Sequence, residues 1–182
     1  MAFGGGEEQV SRIIAIDLLD VCIAYVTALV NRLGWPAQWG ERMISFWPNY
    51  DWQKHWREHE AFLAGLLPIA GAAEVLNSWA SRHDCFYLTA TNEKWRAVTT
   101  KWLEDNGFPS FHLVMTGTVE DKMKWFETTK GIVDYLIDDT APVLRAAEGK
   151  VRELIVMDAP WNRTFSGGQR FRTWEEIARW VQ

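Results

Sequence analysis

The chain has 182 residues, a formal net charge of −5, and 12 tryptophans beside 9 Phe and 4 Tyr. With 48% hydrophobic and 24% charged residues it falls in the range of globular proteins, which excludes a disordered or collagen-like chain. No basic run is available to neutralise phosphates, which argues against a general binder of nucleic-acid polymers. Two cysteines cannot form a disulfide framework, and no apolar stretch is long enough to cross a bilayer. We therefore expect a cytoplasmic protein that does not bind membranes.

Short apolar runs and helical patterns alternate along the chain. Residues 1–11, with three glycines and two glutamates, are predicted to form a flexible tail. Continuous apolar runs then predict strands over 12–16, 84–88, 111–115, 133–137 and 152–157, as in a parallel sheet that is covered on both faces. Apolar spacing predicts helices over 20–33, 51–67, 74–82, 94–106 and 121–130, and a C-terminal helix that a Thr173/Glu176 capping box opens. This alternation predicts an α/β fold built from βαβ units.

One stretch breaks this alternation. Residues 17–83 separate the first two predicted strands, whereas a crossover needs only ~10–12 residues. We interpret residues 22–67 as a small helical insert that forms a cap over one end of the sheet. Residues 12–21 and 68–182 then form the core domain. Five tryptophans lie in the insert, where they supply large buried area: Trp35, Trp39, Trp47, Trp52 and Trp56.

Acidic and hydroxyl side chains follow the predicted strands. The carboxyl ends of parallel strands meet at one edge of a sheet, where ligands bind. The residues at these ends are Asp17, Asp20, Thr89, Asp138, Asp139 and Asp158. Crowded carboxylates repel one another unless a cation lies among them, and carboxylate oxygens suit Mg²⁺. The set predicts a Mg²⁺ site, although Asp and Asn also end strands simply as turn residues.

The same residues resemble four motifs of the haloacid dehalogenase superfamily. Residues 13–21 (IIAIDLLDV) resemble the first motif, an apolar strand that ends in Asp-x-Asp, and residues 87–90 (YLTA) resemble the second. Residues 120–122 (EDK) and 135–139 (YLIDD) are similar to the third and fourth. Order and spacing agree over residues 12–160, and the insert falls where the family places its C1-type cap. Residues 155–163 (IVMDAPWNR) are further similar to a stretch of the 5'(3')-deoxyribonucleotidases and their bacterial and phage relatives.

The resemblance implies a Rossmann-like, three-layer core and phosphoryl transfer through a covalent aspartyl phosphate. It makes Asp17 the nucleophile and gives Thr89 the role of holding phosphoryl oxygens. Lys122 becomes the cation that neutralises the charge shared by nucleophile and phosphate. Lys124 and Lys130 lie in the same predicted helix and are rival candidates for that role.

The implied metal site holds Mg²⁺ between Asp17, the backbone carbonyl of Leu19, Asp138 and Asp139. Leu19 departs from the family pattern, because the family has there a second Asp that acts as general acid and then as base. Loss of such a group typically costs ~10²–10⁴ in rate. Asp20 does not substitute for it, because neighbouring side chains on an extended segment point in different directions.

The resemblance implies a small phosphorylated substrate, such as a nucleoside monophosphate. Substrate contacts are expected from Ala90, Asn162 and Arg163, and from the cap residues Trp47 and Trp52. Arg163 could instead pair with Asp158. Leu19 leaves three functions open: a phosphatase with another acid or with good leaving groups as substrates, a hydrolase of a bond other than a phosphate ester, and a degenerate ligand-binding protein that binds nucleotides.

Overall fold

The computed structural model describes residues 11–32, 60–129 and 131–181. Its strands are β1 (Ile13–Ile16), β2 (Asp84–Thr89), β3 (His112–Met115), β4 (Tyr135–Asp138), β5 (Glu153–Met157) and β6 (Gln169–Phe171). Its helices are α1 (Tyr25–Arg32), α2 (Ala72–Trp79), α3 (Arg96–Asp105), α4 (Val119–Thr128), α5 (Ala141–Ala147) and α6 (Trp174–Trp180). Residues 60–64 are also helical, and two short 3₁₀ turns cover Glu93–Trp95 and Pro160–Asn162.

The strands form one parallel sheet in the order β3-β2-β1-β4-β5-β6. Successive side chains of β1 point to opposite faces: Ile14 and Ile16 join one hydrophobic cluster, and Ala15 joins the other. Helices α2, α3 and α6 cover the first face and α4 and α5 cover the second, so the sheet is the middle of three layers. The predicted α/β fold with a central parallel sheet is confirmed.

The predicted strands are all present, with their ends shifted by at most two residues. Two elements were not predicted, β6 and α5. β6 has three residues, of which Gln169 and Arg170 are exposed, so it lacks the apolar run that marks the other strands. α5 has seven residues with a proline in its first turn, too short a segment to show a helical period.

The first helix starts later than predicted. We expected it over residues 20–33, but α1 begins at Tyr25. Asp20 adopts a left-handed conformation with φ of 58°, and its carboxylate accepts the backbone N–H groups of Tyr25 and Val26. The chain therefore turns at Asp20, which then caps the helix that follows.

Most of the predicted cap lies outside the described residues, namely residues 33–59, as does most of the predicted tail. At the flanks of the insert, Leu29 of α1 and Leu63 pack into the cluster that contains Ile14. The domain boundaries thus stay predictions. None of the described helices is long and apolar enough to pass through a bilayer.

Candidate active site

Pairing of β1 with β4 brings the first two carboxylates of the site together. Ile16 lies opposite Ile137, whose carbonyl accepts the backbone N–H of Asp17 at 2.9 Å. Asp17 and Asp138, one residue beyond this pair, therefore leave the sheet side by side at its carboxyl edge. Both side chains are buried.

Lys122 reaches this pair from the first turn of α4. Thr118 is the N-cap of that helix, because its hydroxyl accepts the backbone N–H of Asp121 at 3.0 Å. Nζ of Lys122 lies 2.5 Å from Oδ1 of Asp17 and 2.7 Å from Oδ2 of Asp138. The lysine is only 1% exposed, so two carboxylates share one ammonium group away from water.

The rival lysines have other surroundings. Lys124 is exposed and forms an ion pair with Asp121 at 3.1 Å, one turn of the helix away. Lys130 lies outside the described residues. The structure thus places Lys122 beside Asp17 and places Lys124 at the surface.

Burial and neighbouring charges set the protonation of this cluster. Burial raises the pKa of Asp17 to about 7, Lys122 acts against that rise, and Asp138 adds to it. Burial by itself lowers the pKa of Lys122, but the two carboxylates outweigh it and raise that pKa overall. Lys122 is therefore held as an ammonium ion, and any further positive charge close to Asp17 favours the ionised carboxylate.

Asp139 completes a cluster of three buried carboxylates. One oxygen from each of Asp17, Asp138 and Asp139 lies within 4.8 Å of the other two. Burial raises the pKa of Asp139 well above its ordinary value, and neighbouring carboxylates, first that of Asp20, raise it further. A hydrogen bond from Trp161 acts in the opposite direction.

The donor set fits a divalent cation. Lys122 is the one buried Lys or Arg among the described residues, so three buried carboxylates are matched by a single fixed positive charge. A cluster of carboxylate oxygens at this spacing is the ligand set that Mg²⁺ prefers. Asp17, Asp138 and Asp139 are therefore the residues that would hold the ion. The contribution of the Leu19 carbonyl stays a prediction.

Thr89 ends β2 at the same edge of the sheet. Ile16 pairs with Tyr87, so Thr89 lies two residues beyond this pair. Its buried hydroxyl is 2.9 Å from the hydroxyl of Thr91 and accepts the backbone N–H of Thr91 at 3.3 Å. Ala90, the substrate-binding candidate that follows it, is half-buried.

The position two residues after Asp17 offers no acid, because it holds the half-buried Leu19. The next carboxylate, that of Asp20, is committed to α1: its Oδ1 accepts the backbone N–H of Tyr25 at 3.1 Å and that of Val26 at 2.8 Å. Residue 19 therefore has no acidic side chain, and the loss of the general acid that the resemblance implies stays a prediction.

Asn162 lies in the turn after β5 and is fully buried. Its amide nitrogen donates to the carbonyls of Asp139 and Met157, both at 2.8 Å. Its amide oxygen accepts from the backbone N–H of Ala159 at 3.2 Å and from Arg170 at 2.5 Å. All four hydrogen-bonding positions of the amide are thus filled from within the protein, and Asn162 holds this turn against the end of β4.

The remaining substrate-binding candidates stay predictions. Arg163 is exposed. Asp158 forms ion pairs with Arg170 at 2.8 Å and with Arg172 at 3.6 Å. Trp47 and Trp52 lie outside the described residues.

Two residues beside the site were not among the sequence candidates. Trp161 donates its indole N–H to Oδ2 of Asp139 at 2.6 Å. Arg170 donates to the turn that carries Trp161. The similarity of residues 155–163 to the deoxyribonucleotidases marks Trp161, whereas Arg170 stands in a segment without a motif.

The fold is similar to that of solved haloacid-dehalogenase-type hydrolases. A protein of Bacillus subtilis described as a HAD-hydrolase, in a structure with bound magnesium, has a TM-score of 0.64 and 16% identity, covering 94% of this chain and 98% of that one. An L-2-haloacid dehalogenase has a TM-score of 0.66 and 12% identity over 95% of this chain and 100% of its own. A haloacid dehalogenase-like hydrolase of Streptococcus pneumoniae has a TM-score of 0.61 and 9% identity over 94% and 99%. At these identities the likeness shows the fold alone, which is that of the superfamily.

Sequence comparison places the chain in one family within this superfamily. The profile of the family described as "5' nucleotidase, deoxy (Pyrimidine), cytosolic type C protein" matches residues 11–181, and the chain belongs to this family. A protein of Halalkalibacterium halodurans that has been proposed to be a nucleotidase is 29% identical to this chain over 114 residues. That match spans 61% of this chain and 57% of the length of the relative. The chain is therefore a nucleotidase-like protein of the HAD superfamily.

Proposed function

We propose that the protein is a Mg²⁺-dependent phosphomonoester hydrolase that acts through an aspartyl phosphate on Asp17. The observation that carries the proposal is the buried ion pair of Lys122 with Asp17, 2.5 Å long, inside a cluster of three carboxylates. Membership of a nucleotidase family supports a nucleoside monophosphate, or a similar small aromatic phosphate, as the substrate.

The reaction has two steps. A carboxylate oxygen of Asp17 attacks phosphorus, the P–O bond of the ester breaks, and the leaving group departs with the electron pair. Water then attacks phosphorus, the bond to Asp17 breaks, and phosphate leaves the restored carboxylate. The proton that the water loses to solvent balances the proton that the leaving group takes from solvent. Lys122 keeps its proton in both steps, so that its charge offsets that of the nucleophile and of the phosphoryl oxygens. Mg²⁺, when bound, supplies Lewis-acid stabilisation of the phosphoryl charge.

Thr89 supports the phosphoryl group in this scheme. It ends the strand next to β1, and its hydroxyl lies at the carboxyl edge of the sheet together with Asp17. The backbone at Ala90, one residue further, is the second group that we assign to the phosphoryl oxygens. Fixed donors of this kind stabilise charge that develops during the reaction.

Leu19 sets the rate and the preferred leaving group. A leaving alkoxide needs a proton, which Leu19 cannot give. We propose that Asp20 does not give it either, because its carboxylate accepts backbone N–H groups of α1. The missing acid lowers the rate on an alkyl phosphate by ~10²–10⁴. An aryl phosphate, whose leaving group is stable without a proton, should suffer less.

We propose that the base of the substrate contacts Arg163, which is exposed, and the predicted cap residues Trp47 and Trp52. A flat aromatic base offers a surface on which tryptophan stacks well. The expected partner is this small molecule in the cytoplasm, and neither a nucleic-acid polymer nor a membrane is part of the proposal.

A second function is favoured by one observation, which is Leu19 itself. A protein that has lost its general acid but keeps the buried cluster could bind a nucleotide and a cation without turnover. Such a ligand stabilises the folded state that binds it and raises the melting temperature.

The experiment that tests the proposal is phosphate release from a panel of nucleoside monophosphates and from p-nitrophenyl phosphate, with Mg²⁺ and with EDTA. We expect release that requires Mg²⁺ and that is fastest on the aryl phosphate. A rise in melting temperature with nucleotide, without any phosphate release, would instead support the binding function.

A further inference from the structure

Trp161 and Asp139 form the shortest link between the turn after β5 and the carboxylate cluster. The indole N–H of Trp161 donates to Oδ2 of Asp139 at 2.6 Å. An indole nitrogen is a donor only, so this contact commits Oδ2 as an acceptor. The other oxygen, Oδ1, has the hydroxyl of Thr140 at 3.5 Å, which is at the limit of a hydrogen bond.

The turn that carries Trp161 is also fixed by hydrogen bonds from outside the turn. Arg170 of β6 donates to Asp158 at 2.8 Å and to the amide oxygen of Asn162 at 2.5 Å. Its second nitrogen donates to the carbonyls of Asn162 at 3.2 Å and Phe165 at 2.8 Å. One guanidinium group thus joins both ends of the turn.

Asn162 links this turn to the backbone of Asp139, the candidate metal ligand. Its amide nitrogen donates to the carbonyl of Asp139 at 2.8 Å. The neighbouring Trp161 holds the carboxylate of the same residue. Backbone and side chain of Asp139 are therefore both anchored to the Pro160–Asn162 turn.

We propose that Trp161 is a positioning residue that fixes the Asp139 carboxylate for a divalent cation, and that Arg170 keeps Trp161 in place. The inference rests on the proposed function, because the cation site belongs to it. The indole occupies one lone pair of Oδ2, so the remaining lone pairs of the Asp139 carboxylate stay available to the ion while the hydrogen bond fixes its orientation. Residues that orient a metal ligand typically contribute about 10–100-fold to metal affinity.

The test is a titration with Mn²⁺, which carboxylate sites accept as they accept Mg²⁺ and whose free ion is counted by electron paramagnetic resonance. Trp161→Phe keeps most of the ring and removes the donor, and we expect its Kd for Mn²⁺ to rise about 10-fold. Trp180→Phe is the matched control, because this tryptophan is 36% exposed and its ring packs against Tyr135 and Phe171. The control should keep the wild-type Kd.

A double-mutant cycle with Asp139→Asn separates positioning from general packing. If Trp161 acts through Asp139, then Trp161→Phe should leave the Kd nearly unchanged in the Asp139→Asn protein. An equal loss of affinity in both backgrounds would overturn the inference, and so would a Trp161→Phe protein with wild-type affinity. Either result leaves the proposed function standing, whereas a wild-type protein that binds no Mn²⁺ contradicts both.

Arg170→Met provides an independent check, because it changes a residue that touches no carboxylate of the cluster. We expect it to raise the Kd for Mn²⁺ in the same direction as Trp161→Phe. Combining the two substitutions should give less than the product of their separate effects, since both act through the same turn. Fully multiplicative effects would contradict the role of Arg170.

Discussion

Lys122 and Asp17 stand 105 residues apart in the chain and meet as a buried ion pair of 2.5 Å. The pair forms because β1 delivers the carboxylate to the sheet edge and the first turn of α4 delivers the ammonium. Asp138 shares the same ammonium from the neighbouring strand. Removal of the lysine leaves buried carboxylates without their fixed counter-charge, so stability and chemistry depend on one side chain.

Lys122→Met should therefore lower the free energy of unfolding by about 3–5 kcal/mol in metal-free buffer, as when one partner of a buried ion pair is removed. It should also abolish phosphate release. Urea unfolding in EDTA measures the first effect. The control is Lys124→Met in the same helix, whose exposed ion pair should change stability by less than about 0.5 kcal/mol. Equal stability of Lys122→Met and wild type would contradict the assignment.

Leu19→Asp should raise kcat on a nucleoside monophosphate, because it introduces a carboxyl group that can protonate the leaving group. The gain should lie toward the lower end of the ~10²–10⁴ range of general acid catalysis, since the surroundings of residue 19 are built around leucine. Leu19→Asn is the matched control, as it has the same shape and polarity without the acid. An unchanged rate in Leu19→Asp would show that the missing acid does not limit turnover.

Asp20 should be a stabilising cap despite its left-handed backbone. Asp20→Ala removes the acceptor for Tyr25 and Val26 and should lower the free energy of unfolding by about 1–2 kcal/mol. Asp20→Asn should lose much less, because asparagine also accepts these N–H groups and tolerates a positive φ. Denaturant unfolding of the two variants side by side measures the difference. Similar losses in both would mean that charge, and not the cap, is what the fold requires.

His83 should make the protein less stable in mild acid. Burial, Arg82 and Arg12 lower the pKa of His83, whose Nδ1 accepts the backbone N–H of Arg12 at 3.3 Å. In the unfolded chain His83 has an ordinary pKa near ~6.5, so it takes up a proton more readily than in the folded protein. The stability that neutral His83 contributes is therefore fully present above pH ~6.5, and it is lost as the pH falls through the lowered pKa of the folded state.

His83→Gln should reduce that loss, because glutamine does not titrate. At pH 8 the difference in the free energy of unfolding between the two proteins measures the change in packing alone. The additional difference that develops between pH 7 and pH 5 measures the effect of protonating His83. Parallel stability curves over that range would show that His83 does not contribute.

The elements with strong local patterns were the ones that sequence could predict. Five strands could be predicted from their continuous apolar runs. The place of Asp17 and Asp138 in the site followed from the rule that ligands bind at the carboxyl edge of a parallel sheet. β6 was not predicted, because it has only three residues and Gln169 and Arg170 are exposed. Its position is set by pairing with β5, which no local sequence pattern shows.

The parts of the site that sequence could not predict are contacts between distant segments. The Trp161–Asp139 hydrogen bond joins residues 22 positions apart. In the sequence, Asp20 is one more acidic residue at the end of a strand. In the structure it has a φ of 58°, and its carboxylate accepts a backbone N–H at the start of α1. Such roles depend on backbone direction, which a list of residue types does not contain.

The most direct measurement of the central claim compares Mg²⁺-dependent phosphate release by the wild type and by Asp17→Asn. Asn keeps the shape of the side chain but is a poor nucleophile, so it cannot form the aspartyl phosphate. Asp105→Asn, at an exposed carboxylate that pairs with Lys101, serves as the control. We predict release by the wild type and the control and none by Asp17→Asn. Release that persists in Asp17→Asn would show that Asp17 is not the nucleophile.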